Sequence, residues 1–186
     1  MKSIGLIVLA VAVMANAFGC GSFKNTANAG EYECVDYTAE SALANVPKDM
    51  TNLIVRDEMG NLKMTTGFKN GLQNGETRIY YFDGKLKSTM TYIDGVKHGD
   101  LVEYWPNGNV MVRIPFVWGD ASGKAITYTE SNSIASIQTY VEGTLKETFF
   151  YDGGEIIQHA EYTDQGTMMT YYVDGEAVDT MLLEDE

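Results

Sequence analysis

The most regular feature of the chain is alternation. Over residues 86–93, and again over 110–118, apolar side chains occupy most alternate positions. That is the period of a strand with one buried face. The runs are punctuated by Asn70-Gly71, Asn74-Gly75, Asp83-Gly84, Asp94-Gly95, Asn107-Gly108, Asp152-Gly153 and Asp174-Gly175. Two-residue hairpin turns require positive φ at both positions, and such pairs supply it. The pattern predicts an all-β fold, an antiparallel meander of about eleven or twelve strands in an open, elongated, twisted sheet.

The alternation itself recurs. Gly71/Gly95, Gly75/Gly99 and Gly84/Gly108 are each 24 apart, and so are Phe68, Tyr92, Phe116 and Tyr140. Tyr80, Tyr104 and Tyr128 keep the same interval. The third copy has Asn132 where glycine stands in the others, and Asn tolerates positive φ best among the remaining residues. The series Tyr92-x-x-Gly95-x-x-x-Gly99-x-x-x-x-Tyr104-x-x-x-Gly108 resembles a MORN-repeat variant, and more narrowly the YwqK-type antitoxin family. The resemblance covers about residues 53–143. It implies strings of β-hairpins used for interaction and brings no catalytic residues. The antitoxin label implies a toxin as partner.

The first 52 residues depart from the repeat. Lys2 precedes an apolar run over 4–14, which suits a signal peptide (1–19). Ala17-Phe18-Gly19-Cys20 resembles a lipobox, in which Cys20 would be lipidated; Ala15-Asn16-Ala17 offers simple cleavage after Ala17 instead. Residues 20–30 read as a flexible tether, and Cys34 as a free thiol or a disulfide partner of Cys20. Residues 31–52 read as a terminal cap with a short helix over 38–44, ahead of Pro47. The repeat domain then fills 53–186.

Charge narrows the partners. The formal net charge of −13 repels nucleic-acid phosphates and anionic lipid. Nucleic acid is therefore not expected, and membrane contact is expected only through a lipid anchor. Two Cys and two His far apart give no metal pattern, and no cofactor motif occurs. His98 sits in the slot that Asn74 fills one repeat earlier, and His159 has no nucleophile at triad-like spacing. Asp83, Asp94, Asp152 and Asp174 each precede glycine and read as turn residues.

These readings give a non-enzymatic binding or scaffold protein of a bacterial cell envelope, lipid-anchored or secreted. An immunity-type protein that neutralises an envelope toxin shares the fold, and a glycan hydrolase built on a carboxylate pair is a third reading. If Asp83-Gly84 is a two-residue turn, Tyr81 lies opposite Leu86. One face then carries Ile79, Tyr81, Leu86, Met90 and Tyr92, followed by Trp105, Val110, Val112, Ile114, Phe116 and Trp118. This apolar face is expected to be buried. The other carries Tyr80, Tyr104 and Tyr128 with Arg78, Lys87 and Arg113, a candidate binding stripe. A bulge at the turn would shift the register and exchange the faces.

Overall fold

The computed structural model describes residues 23–26, 28–35 and 47–183. The signal peptide, Cys20 and the helix expected over 38–44 lie outside the described residues. Among those described there are sixteen strands in one sheet and no helix. In chain order they are β1 (Phe23–Asn25), β2 (Glu31–Val35), β3 (Asn52–Arg56), β4 (Leu62–Lys69), β5 (Leu72–Tyr80), β6 (Leu86–Ile93), β7 (Val96–Lys97) and β8 (Gly99–Tyr104). There follow β9 (Val110–Val117), β10 (Asp120–Ala121), β11 (Gly123–Tyr128), β12 (Ile134–Val141), β13 (Thr144–Asp152), β14 (Glu155–Thr163), β15 (Gly166–Val173) and β16 (Glu176–Leu183).

Strand order in the sheet follows the chain, except that β7 and β10 are short pieces set against β6 and β9. From β3 onward every pairing is antiparallel, as the hairpin signals predict. The start differs from the expected tether and cap. Phe23–Asn25, inside the stretch read as a tether, pairs with β2. β2 in turn pairs with β3 in parallel, from Glu31↔Asn52 to Val35↔Arg56. Parallel neighbours need a long connection, and β2 ends at Val35 while β3 begins only at Asn52. Tyr32 and Met50 pack with Leu53, Val55, Met64 and Phe68, and the Tyr32 hydroxyl donates to the Asp49 carboxylate at 2.9 Å. An alternating Glu-Tyr-Glu strand can cover the first hairpin because its tyrosine points inward and its acids do not.

Every buried residue of β4, β6 and β9 belongs to one face: Met64, Thr66 and Phe68; Ser88, Met90 and Tyr92; Val112, Ile114 and Phe116. Met90, Tyr92, Val112, Ile114 and Phe116 are buried as expected, whereas Leu86 and Val110, expected beside them, pair with Tyr80 and Tyr104. The three kink glycines explain the matching period of the aromatics. Gly75, Gly99 and Gly123 have φ of +99°, +85° and +97°. Each lies directly across from an aromatic of the next strand, Tyr92, Phe116 or Tyr140. Glycine kinks of this kind curve a sheet. One polar interruption of the buried rows is answered from the next strand. Thr66 and Thr77 are paired across β4 and β5, with their hydroxyls 2.6 Å apart.

The turns fall into two sets, one at each end of the strands. At one end, hereafter the tip end, Asn70-Gly71, Asp94-Gly95, Trp118-Gly119 and Glu142-Gly143 all have both φ positive, as two-residue turns demand. At the other, the loop end, Asp174-Gly175 also has both φ positive, but Asp83-Gly84 and Asn107-Gly108 correct the expectation: only the glycine is left-handed. Gly84 N–H donates to the Tyr81 carbonyl at 3.0 Å, and Tyr81 N–H to the Lys85 carbonyl at 2.8 Å, which closes a three-residue loop. Asn132, at φ 65°, stands in for glycine in the same loop one repeat later. Asn74-Gly75 is a kink inside β5 rather than a turn. Asp152 ends β13, and the turn beyond it is Gly153-Gly154.

Candidate functional site

The longer loop slips the register, and this decides the faces. Tyr80, not Tyr81, pairs with Leu86, and the extra residue in β6 is Lys87. The same slip recurs at Tyr104↔Val110 and Tyr128↔Ile134. The three tyrosines are therefore the last residues of β5, β8 and β11, in equivalent settings. Within each strand the pleat places Tyr80 with Arg78, Tyr104 with Val102 and Tyr128 with Ile126. Those neighbours form one continuous row of partners, Arg78↔Thr89↔Val102↔Arg113↔Ile126↔Ile137↔Phe149↔His159. The row lies on the face opposite the Met90–Phe116 cluster. Along the row Val102 is buried, Thr89, Ile126, Ile137, Phe149 and His159 are half-buried, and Arg78 and Arg113 are exposed.

Two of the three cations expected on this face are there. Arg113 pairs with Asp100 across β8 and β9 at 2.9 Å, and Arg78 pairs with Glu76; all four side chains are well exposed. Such pairs contribute little to stability and leave the guanidinium groups accessible. Lys87 is a correction. The bulge re-aims it, as bulges do, and its ammonium lies 5.9 Å from the centre of the Tyr81 ring.

Tyr81 and Trp105 also depart from a simple buried face. Both are half-buried at the loop end and reach into the next repeat. Tyr81 Oη donates to the Tyr104 carbonyl at 2.6 Å, and Trp105 Nε1 to the Tyr128 carbonyl at 3.1 Å. Lys85 Nζ and Asn109 Nδ2, also one repeat apart, donate to the carbonyls of Pro106 and Glu130. Each loop is thus tied to its neighbour through the backbone of the tyrosine-bearing strand. Burial raises the Tyr81 pKa, helped by the charges of Glu103 and Asp83. Burial likewise raises that of Glu103, against the opposing charge of Lys87.

The two histidines stand apart from one another. His98 packs on Trp118, with ring centroids 5.0 Å apart. His159 stacks on Phe149 at 4.1 Å, and its Nε2 lies 3.5 Å from a Glu147 oxygen. Neither Nδ1 of His98 nor Nε2 of His159 has a hydrogen-bond partner among the described residues. Asp83 and Asn107 act in their loops, accepting from the Lys85 and Asn109 N–H groups at 3.1 and 2.9 Å. The backbone N–H of Lys85 is the main cause of a lowered Asp83 pKa.

Sequence reasoning placed Trp118 in the core, and the structure does not. Trp118 is 62% exposed, in the first position of a tip turn. The 24-residue interval from Asn70 and Asp94 marks this position as a turn. Comparison with known families agrees with the repeat. Residues 73–94 and 97–117 match the model of the MORN repeat variant. The chain therefore carries MORN-type repeats, and the sheet continues in both directions beyond the matched segments. No curated protein matches the chain.

Proposed function

We propose that this is a non-enzymatic binding protein that engages a partner through the outer face of its sheet, with Tyr80, Tyr104 and Tyr128 as the contact stripe. The observation that carries the reading is the repetition of one setting. Three half-buried tyrosines end the corresponding strands of three consecutive repeats, on the face opposite the Met90–Phe116 cluster. Each ring offers rigid contact area with a polar tip, at low entropic cost on immobilisation. Arg78 and Arg113 flank the stripe and add donors suited to carboxylates.

The test is a Tyr80→Ser, Tyr104→Ser double variant, used as bait against envelope extract beside the parent protein. Partner capture is expected to fall while the melting curve keeps its shape. Lost folding without a selective binding defect would assign the tyrosines to sheet stability alone.

The setting we propose is a bacterial cell envelope, reached by export and a lipid on Cys20. The support is the apolar run over 4–14 followed by Gly19-Cys20. Stable membrane attachment needs more than one acyl chain, and a lipidated N-terminal cysteine supplies it. Metabolic labelling with a fatty-acid probe should mark the parent and not Cys20→Ala. Equal labelling, or none, favours cleavage after Ala17.

A further inference from the structure

Four two-residue tips, each with a left-handed leading residue, stand in a row at the tip end, and the third differs in kind. Their leading residues are Asn70, Asp94, Trp118 and Glu142, with φ of 54°, 48°, 49° and 49°. Asn and Asp suit this left-handed conformation, whereas a bulky aromatic there is an outlier. Burial does not compensate Trp118, because 62% of it faces solvent. Val117, Val141 and Val96, next to the tip turns of this end, are also exposed, at 49%, 50% and 37%. A bulky aromatic that is both left-handed and exposed, at a position held by Asn70, Asp94 and Glu142 in the neighbouring tips, points to a role outside stability.

The surroundings select the ligand. The tips are fixed to one another: Gly95, Gly119 and Gly143 donate N–H bonds to the carbonyls of Gln73, Lys97 and Ala121 at 2.8–2.9 Å. Asp94 and Glu142 therefore hold the same turn position on either side of Trp118, each two strands away, or roughly 10 Å. Both are exposed, as is Asp120. Asp94 is steadied by the Asn74 amide at 3.0 Å. The His98 ring, tilted 50° to the indole, supports it from one side. Lys97, the cation on the neighbouring strand, is turned to the Phe116 ring instead, 5.2 Å from its centre.

We infer that Trp118 is a recognition site for a cationic side chain, arginine or lysine, of a partner protein. The indole face attracts the cation, Asp94 and Glu142 supply the counter-charge, and the exposed valines seat the apolar stem of the side chain. The net charge of −13 draws such a partner in. Tryptophan is also the residue type that most often dominates an interface. The site is at the opposite end of the strands from the tyrosine stripe and does not depend on it.

The probe is a fluorescein-labelled hexa-arginine peptide, with hexa-glutamate and phosphatidylcholine vesicles as comparisons, followed by anisotropy and co-sedimentation. Hexa-arginine should bind, and hexa-glutamate should not. Trp118→Asn creates an Asn-Gly turn, so it should raise Tm while weakening hexa-arginine binding by about tenfold or more. An Asp94→Asn, Glu142→Gln double variant should weaken binding by at least about threefold, without a loss of Tm. The Tyr80→Ser, Tyr104→Ser variant should bind hexa-arginine as the parent does, which separates this site from the stripe. Unchanged affinity in Trp118→Asn would reduce the attraction to net charge and overturn the proposal. Capture by vesicles in place of peptide would overturn it in favour of a lipid surface.

Discussion

Gly84 and Gly108 show how much one backbone angle governs here. Their φ values are +82° and +91°, and a side chain at either would meet nothing within 4 Å. Space is free, so the cost of substitution is conformational. Gly84→Val and Gly108→Val should each destabilise by more than about 1 kcal/mol, read from denaturant midpoints. Asn132→Gly, at the same loop position, should be neutral or stabilising by the same measure. Glu103 makes a second residue-scale prediction. Burial raises its folded pKa, so across the window above its unfolded value the native state holds more protons than the unfolded state. Stability from this group is therefore lost as pH rises through that window. Glu103→Gln should flatten the dependence and raise Tm at neutral pH relative to acid.

At the scale of elements, the unit is a hairpin tied to the next by its loop. Tyr81→Phe removes the hydroxyl that reaches the Tyr104 carbonyl and should cost about 1 kcal/mol, measured by chemical denaturation. A loss near zero would show that the loops are independent. Much of this unit was legible in the sequence. The 24-residue interval located the long strands β6 and β9, most of their buried residues and Asn132 as a glycine substitute. The loop geometry was not, because Asp-Gly serves both a two-residue turn and the end of a three-residue loop. The choice rests on a local bond. Asp83, Asn107 and Asp57 each accept a backbone N–H two residues on, which fixes a right-handed turn before the glycine. Asp94 takes a long-range bond from Asn74 instead and turns left-handed. That difference moved Tyr81 away from Leu86 and re-aimed Lys87. The parallel β2–β3 pairing left no local signature, since it joins strands far apart in the chain with no hairpin turn between them.

At the scale of the molecule, stability is spread along the sheet in local clusters. Met90, Tyr92, Val112, Ile114, Phe116 and Ala125 form the one in the middle repeats, and Tyr32 to Phe68 the one at the start. Phe116→Ala should cost about 3–5 kcal/mol, seen as a lowered Tm or as a second unfolding transition if the halves uncouple. Because strand order follows chain order, a tensile load between the two ends of the chain crosses the strands sideways. It meets the ladder bonds of one strand pair at a time, never many in shear. Held from both ends in optical tweezers, the protein should yield as a staircase of small rips. Each 24-residue repeat released should lengthen the tether by about 80 Å. A protein of this construction acts less as a rigid strut than as an extensible fuse: it gives way a strand at a time and re-zips when slack returns.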